Sequence, residues 1–245
     1  MPKSKDRPNR VALITGASRG LGRVVAEFLA SQGYGVIVNA RGEKELDAQA
    51  THLGKRTAVV AIPGDVTDPK TRDRLLGAAR AWDRLDVLVN NASYLGGAPP
   101  PSLRDASRDL FLRVLDVNAL APLALVQEAL PLLVRCHGLV VNISSDAAIA
   151  GYPGWGIYGA SKAALDLLSK TLAAELKESG VSVVSVDPGD MRTAMHQDAF
   201  PGQDISDRPL PDVTVPFWAW LLSQSPKAVN GGRFLAQAPV WEVPR

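Results

Sequence analysis

An apolar run, Arg10 to Thr15 (RVALIT), gives way to Gly16-Ala17-Ser18-Arg19-Gly20-Leu21-Gly22. Beyond it Leu21, Val24, Val25, Phe28 and Leu29 recur at helical spacing, and Gly33 ends the helix. A second apolar run, Gly35 to Ala40 (GVIVNA), follows at once. Strand, glycine-rich turn, helix and strand make one crossover unit, which commits the chain to a parallel sheet. The turn aims the first amides of a helix, and the positive end of its dipole, at an anion. Glycines keep Cβ atoms out of the way of an approaching pyrophosphate. The spacing is G-x-x-x-G-x-G, and glycines alone would also suit a purely structural turn.

The alternation continues. A helix is expected over 43–53 and a strand over 58–62, leading to Asp65-Val66, where an adenine could lie between a carboxylate and an apolar side chain. A helix over 69–82 precedes the strand Asp86 to Val89, which ends in Asn90-Asn91-Ala92-Ser93. Gly96 to Pro101 is a breaker-rich loop. A long helix over 109–134 carries Pro122, whose missing N–H leaves the carbonyl of Asn118 without its usual partner. That carbonyl could hold an ordered water on a proton path; a simple kink in a packing helix explains it equally well. The strand Gly138 to Ile143 delivers Ser144-Ser145, a helix runs over 157–179, and the strand Val181 to Val186 leads into Asp187-Pro188-Gly189. The segment of about 190–215 reads as a mobile lid. A helix over 216–223 and a strand over 233–238 finish the chain.

The strands are apolar on both faces, so the sheet is parallel and covered on both sides. A ligand then belongs at the carboxyl ends of the strands, and the turns singled out above all fall there. The adenosine end reports on cofactor choice. After the second strand comes Asn39-Ala40-Arg41, with no carboxylate until Glu43. Arg41, with Arg19 from the glycine turn, suits a 2′-phosphate, so NADP(H) is expected over NAD(H) unless both arginines face water.

Tyr158 and Lys162 stand four residues apart. On a helix both leave the same face, one turn apart. A free phenol, with a pKa near ~10, is a poor base at neutral pH. A neighbouring ammonium favours phenolate, and a drop of about 3 units needs roughly 4 kcal/mol. Such a phenol can exchange a proton with a carbonyl or alcohol. Ser145 would hold the substrate oxygen. A Tyr and a Lys at this spacing are also common on ordinary helix surfaces, so the pair gains meaning only from the crevice around it.

The 245 residues, 46% hydrophobic and 21% charged, suit one domain over 10–245, preceded by a flexible basic tail over 1–9. Arg10 belongs to the same basic start, with Lys3, Lys5 and Arg7. A net charge of +2 argues against a nucleic-acid partner. No apolar run approaches the ~20 residues of a membrane span. Cys136 is the single cysteine, which fits a reducing, cytoplasmic compartment. His52, His137 and His196 lack metal-ligand spacing, so no metal site is expected. The apolar face of the helix after Tyr158, with Leu167, Leu168 and Leu172, suggests a contact with another subunit.

Thr15-Gly16-x-x-x-Gly20-x-Gly22, Asn90-Asn91-Ala92, Asn118, Ser145, Tyr158-x-x-x-Lys162 and Pro188-Gly189 with Thr193 together closely resemble the short-chain dehydrogenase/reductase family, over nearly the whole length. The resemblance implies a single Rossmann domain with a doubly wound seven-stranded sheet, usually a homodimer or homotetramer. It implies Tyr158 as acid/base, Ser145 as donor to the substrate oxygen, and Asn118 as anchor of a relay water. Lys162 would bind the nicotinamide ribose and lower the Tyr158 pKa. The cofactor would lie against Gly16, Ser18, Arg19, Gly20, Leu21, Gly22, Arg41, Asp65, Val66, Asn91, Ala92, Pro188, Gly189, Met191 and Thr193, with Tyr158 and Lys162. Two departures stand out: Ser93 where the family usually has glycine, and a last strand without the glycine pair common after it.

The expected function is interconversion of a carbonyl and an alcohol with NADP(H), on a small molecule. A redox-sensing module that only binds NADP(H) is the competing reading, though it has no need of the Ser145, Tyr158 and Lys162 set. A methyltransferase on a related fold leaves Arg19, Arg41 and the Tyr/Lys pair unexplained.

Overall fold

The computed structural model describes residues 7–244. Seven parallel strands form one sheet in the order β3-β2-β1-β4-β5-β6-β7. They are β1 (Val11–Thr15), β2 (Gly35–Ala40), β3 (Val59–Pro63), β4 (Val87–Asn90), β5 (Leu139–Ile143), β6 (Ser182–Asp187) and β7 (Arg233–Leu235). The main connecting helices are α1 (Gly20–Ser31), α2 (Glu43–Leu53), α3 (Pro69–Trp82), α4 (Arg108–Leu115), α5 (Ala121–Cys136) and α6 (Gly156–Glu175). After β6 come α7 (Ala194–Ala199), α8 (Val215–Ser223) and the single turn α9 (Pro226–Val229).

The pleat of β1 shows why the strand run is apolar throughout. Ala12 and Ile14 face a core that includes Val25 and Leu29 of α1, Leu46 of α2 and Phe217 of α8. Val11 and Leu13 face the opposite core, with Leu75 of α3 and Leu125 and Leu133 of α5. Alternating side chains thus fill two separate cores, each fully buried Val or Leu contributing about 1.5–3 kcal/mol. The sequence order reverses direction between β1 and β4, and the crevice of a doubly wound sheet lies at that point.

Several expectations change on contact with the structure. The basic start does not fray at Arg10. Its guanidinium donates to the carbonyl of Gln32 at 2.6 Å and lies 4.3 Å over the Tyr34 ring, and Pro8 packs on Gly35. Residues 1–6 of the expected tail lie outside the described residues. The expected helix over 109–134 is a continuous 29-residue helix, Arg108–Cys136, interrupted by a π-helical turn, Asp116–Leu120. It is long and apolar enough to cross a membrane, contrary to the sequence expectation, but half of that apolar window is buried. Leu125, Val126, Ala129 and Leu133 sit in the core, and Glu128 pairs with Arg72 of α3 at 2.9 Å. β7 stops at Leu235, three residues short of the expected strand, where the Ala238 amide closes a turn onto the Leu235 carbonyl at 3.1 Å and the Trp241 indole donates to the same oxygen.

The segment over 190–215 is structured. It holds α7 and a 3₁₀ turn, Pro211–Thr214, and the amide of Arg192 donates to the carbonyl of Pro209 at 2.8 Å. Asp190 faces both Arg208, at 3.4 Å, and His196, at 3.8 Å.

Candidate active site

The carboxyl ends of β1 and β4 are tied together by side chains. The hydroxyl of Thr15 accepts from the amides of Asn91 and Ala92, each at 3.0 Å. The Asn91 amide group donates to the carbonyls of Thr15 (2.9 Å) and Gly16 (3.1 Å). Gly22, on the first turn of α1, lies so close to the Gly16 oxygen and the Asn91 side chain that any Cβ there would overlap them. Gly16 itself has φ +67°, in the left-handed region where glycine is at ease. The α1 N-terminus carries no acidic residue in its first turn, and Thr193 packs over Gly20. An open helix end faced by glycines and free of carboxylates fits a pyrophosphate.

The other expected cofactor residues divide. Pro188, Gly189, Met191 and Thr193 come to the crevice on the loop after β6, fixed by Gln237, which donates to the carbonyls of Pro188 and Asp190 at 2.9 Å each. Val66 is buried, and Arg72 holds the loop around it through the carbonyls of Val66 and Thr67, each at 3.0 Å. Asp65 spends one carboxylate oxygen on the amide and hydroxyl of Thr67, at 2.9 and 2.8 Å. Ser18 is half-buried, while Arg19 and Arg41 are exposed and have no carboxylate partner among the described residues. Asn39 is not part of a ribose site: its amide is buried and donates to the carbonyls of Ile62 and Gly64.

The residues expected to do chemistry do converge. Tyr158 and Lys162 are buried on one face of α6, with the Lys162 Nζ 5.6 Å from the phenol ring centre. Gly159 lets α6 press against the main chain of Ala147, just after Ser145, where a Cβ would clash. The Ser93 hydroxyl donates to Asn118 Oδ1 at 3.1 Å and the Ser145 hydroxyl to Asp146 at 2.9 Å, and both favour the ionised form of the phenol. Around it stand Leu95, Ala147, Trp155, Met195, Ala199 and Phe200, with the Trp155 ring edge-on at 5.6 Å. The wall is apolar, and α7 supplies part of it.

The electrostatics correct one expectation. Burial pushes the Tyr158 phenol up to about 12, with the Ser93 and Ser145 hydroxyls acting the other way. The physical reason is placement. Lys162 donates to the carbonyl of Ile143 at 2.7 Å, and desolvation drives its own pKa down to about 8, opposed by Asp166 one turn along α6. The protein's own ammonium therefore does not make this phenol acidic.

Asn118 lies in the π turn and is fully buried. Its side chain is engaged on every side, by Tyr94, Ser93 and Ser161, a role that the sequence reading, centred on its carbonyl, did not include. Three further residues were missed. Asp146 accepts from Ser145 Oγ and Tyr152, each at 2.9 Å. Ser161 joins Asn118 to the main chain of Tyr158. Arg233 on β7 donates to the carbonyl of Ser145, to Asp166 and to Asp187. The available signal for Arg233 was a cation opening a short apolar strand, with aspartates ending β6 and on α6. Burial pushes the Asp187 carboxyl above its ordinary range, while the Gly189 amide and Arg233 pull it back.

Comparison with known proteins agrees with this architecture. The short chain dehydrogenase family model matches residues 10–204. The oxidoreductase YciK of Escherichia coli K12 is 32% identical over 96% of this chain and 95% of its own. Serine 3-dehydrogenase of Agrobacterium fabrum is 38% identical over 72% of this chain and 70% of its own. A short chain dehydrogenase of Shigella flexneri, solved as its NADP complex, superposes with a TM-score of 0.84 at 30% identity, over 96% of this chain and all of that one. The chain belongs to the short-chain dehydrogenase/reductase family, oxidoreductases of alcohol and carbonyl groups.

Proposed function

We propose that this protein is an NADP(H)-dependent oxidoreductase that interconverts a small-molecule carbonyl and its alcohol, with Tyr158 as the acid/base. The observation that carries the reading is the buried face of α6, where Tyr158 and Lys162 stand beside Ser145 at the end of β5. When bound, the nicotinamide gives or takes the hydride. Ser145 donates to the substrate oxygen, and Tyr158 hands over or removes the proton at its phenolic oxygen. Lys162, which donates to the Ile143 carbonyl, would hold the nicotinamide ribose. Burial keeps the phenol protonated at neutral pH, in the form that donates to a carbonyl oxygen.

Gly16 to Gly22 would receive the pyrophosphate, with Ser18 and the amide of Leu21 at its edge. Asn91, Ala92, Pro188, Gly189, Met191 and Thr193 would line the nicotinamide half, and Asp65 and Val66 the adenine. Arg19 and Arg41, exposed and without a carboxylate partner among the described residues, support the phosphorylated cofactor. The segment over 190–215 would close over the substrate through α7. The apolar wall favours a substrate with a hydrophobic body.

A homodimer or homotetramer fits the exposed Phe111, Leu112, Leu120 and Leu167 on α4, the π turn and α6. Light scattering that returned a monomer would remove that part of the proposal. A cytoplasmic setting fits the reduced cofactor and the lone Cys136. The functional test is NADPH consumption against ketones, keto-acyl thioesters, quinones and sugars. Consumption with at least one carbonyl is expected; tight NADPH binding with no turnover on any would instead favour the binding-only module.

A further inference from the structure

We propose that Asp146 selects the substrate: its carboxylate, held beside Ser145, takes an ammonium carried one or two carbons from the reacting carbon. The inference rests on the reading above in which Ser145 binds the substrate oxygen.

Asp146 directly follows Ser145 and opens a short 3₁₀ turn, Asp146–Ala148. Its side chain is fixed by three donors. Oδ1 accepts from Ser145 Oγ at 2.9 Å and from the Ala147 amide at 2.8 Å. Oδ2 accepts from the Tyr152 hydroxyl at 2.9 Å. A carboxylate offers about four lone-pair sites, two on each oxygen. Both sites on Oδ1 are taken by these donors, and one on Oδ2 is left over. Asp146 is exposed, so a small molecule can reach that site.

Its place relative to the chemistry follows from Ser145. A hydroxyl and the oxygen it binds lie about 2.8 Å apart. Asp146 Oδ1 is 2.9 Å from Ser145 Oγ, so it stands within about 6 Å of the reacting oxygen. Ala147, the next residue, packs with Tyr158, Trp155 and Met195 in the wall of the same space. A group one or two carbons from the reacting carbon is then in reach of Asp146, while the apolar body of the molecule rests on the wall.

Charge decides which group that is. Asp187 and Asp190, whose charges also reach Tyr152, each have an arginine: Arg233 at 3.2 Å and Arg208 at 3.4 Å. Asp146 has no cation partner among the described residues; two hydroxyls and an amide meet it. A substrate cation supplies what is missing, and a substrate carboxylate meets an uncompensated like charge. A bound ammonium also weakens the pull of Asp146 on the single Ser145 proton, which the substrate oxygen then receives.

The test uses three alcohols that share a phenyl group and one reacting carbon and differ in a single arm: phenylethanolamine (aminomethyl), ethylphenylcarbinol (ethyl) and β-phenyl-β-hydroxypropionate (carboxymethyl). NADP-dependent oxidation gives kcat/KM in wild type and in Asp146→Asn, which keeps an acceptor for Ser145 and removes the charge. Calorimetry on the NADP-loaded Tyr158→Phe form of each reads binding without turnover. Protein with Asp146 should prefer the amine to the ethyl arm by about tenfold or more and take the carboxylate least. Asp146→Asn should bring the amine and ethyl arms within about threefold of each other, in kcat/KM and in Kd. Equal treatment of the two by wild type overturns the proposal, as does a preference that survives Asp146→Asn or an amine that does not bind. Asp146→Ser carries the same expectation if Asp146→Asn does not fold. Wild-type protein that oxidises none of the three counts against the acid/base reading of Tyr158, while the ratio of Kd values still decides the role of Asp146.

Discussion

Arg233 Nη2 donates to the main-chain oxygen of Ser145 at 2.8 Å, joining the edge strand β7 to the residue whose hydroxyl stands beside Tyr158. The same guanidinium holds Asp166 at 2.9 Å and Asp187 at 3.2 Å, and both carboxylates are buried. Arg233→Met leaves them without their cation. Removing one side of a buried ion pair costs about 3–5 kcal/mol, roughly 10 °C in a domain of this size. Thermal unfolding should show that drop, with turnover reduced as Ser145 loosens; an unchanged melting temperature would refute the role given to Arg233.

Tyr158→Phe keeps the ring and removes the proton donor. NADPH affinity, read by fluorescence quenching, should hold within about threefold, while carbonyl reduction falls by ~10²–10⁴. Full turnover in the variant would dismiss Tyr158 as the acid.

Arg19→Ala and Arg41→Ala address the adenosine end. Each lost charge-assisted bond to a 2′-phosphate is worth about 1.5–3 kcal/mol, roughly 10- to 100-fold in Kd. Calorimetric titration should show NADPH weakened by that factor and NADH nearly unaffected. Equal losses for both cofactors would show that these arginines do not select the phosphate.

Lys162 makes folding stability depend on pH. Its folded pKa, near 8, lies below the unfolded value of 10.5. Below about pH 8 both states carry the charge, and the folded protein bears the whole desolvation penalty, about 3 kcal/mol. Between the two values only the unfolded state keeps the proton, so the penalty fades as pH rises. Lys162→Met removes the titration. Its stability relative to wild type should be highest at pH 7 and decline by about 2 kcal/mol by pH 9.5, in urea melts at the two pH values. A constant gap would mean that Lys162 titrates as an ordinary lysine.

The glycine turn, the apolar strands and the Tyr158/Lys162 spacing were readable in the sequence because each follows from a local rule: backbone access, pleat, helical period. β1, β2 and α2 begin and end within a residue of expectation. What escaped was set by tertiary contact. Nothing near Arg233 in sequence says that it reaches across β6 to Ser145, and nothing near Lys162 says that its ammonium turns to Ile143 rather than to the phenol. Asn118 was singled out through Pro122, yet what fixes its side chain is Tyr94 and Ser161, from two distant segments. Ser93 was visible only as an odd residue until Asn118 supplied its partner.

The seam made by the Thr15 hydroxyl and the Asn91 amide group rests almost wholly on main-chain atoms of β1 and β4. The pyrophosphate turn it braces shares no residue with Trp155 or α7, the parts that wall the space around Tyr158. Mutation can therefore redraw that enclosure, and with it the diet of the protein, while the fuel line stays as it is.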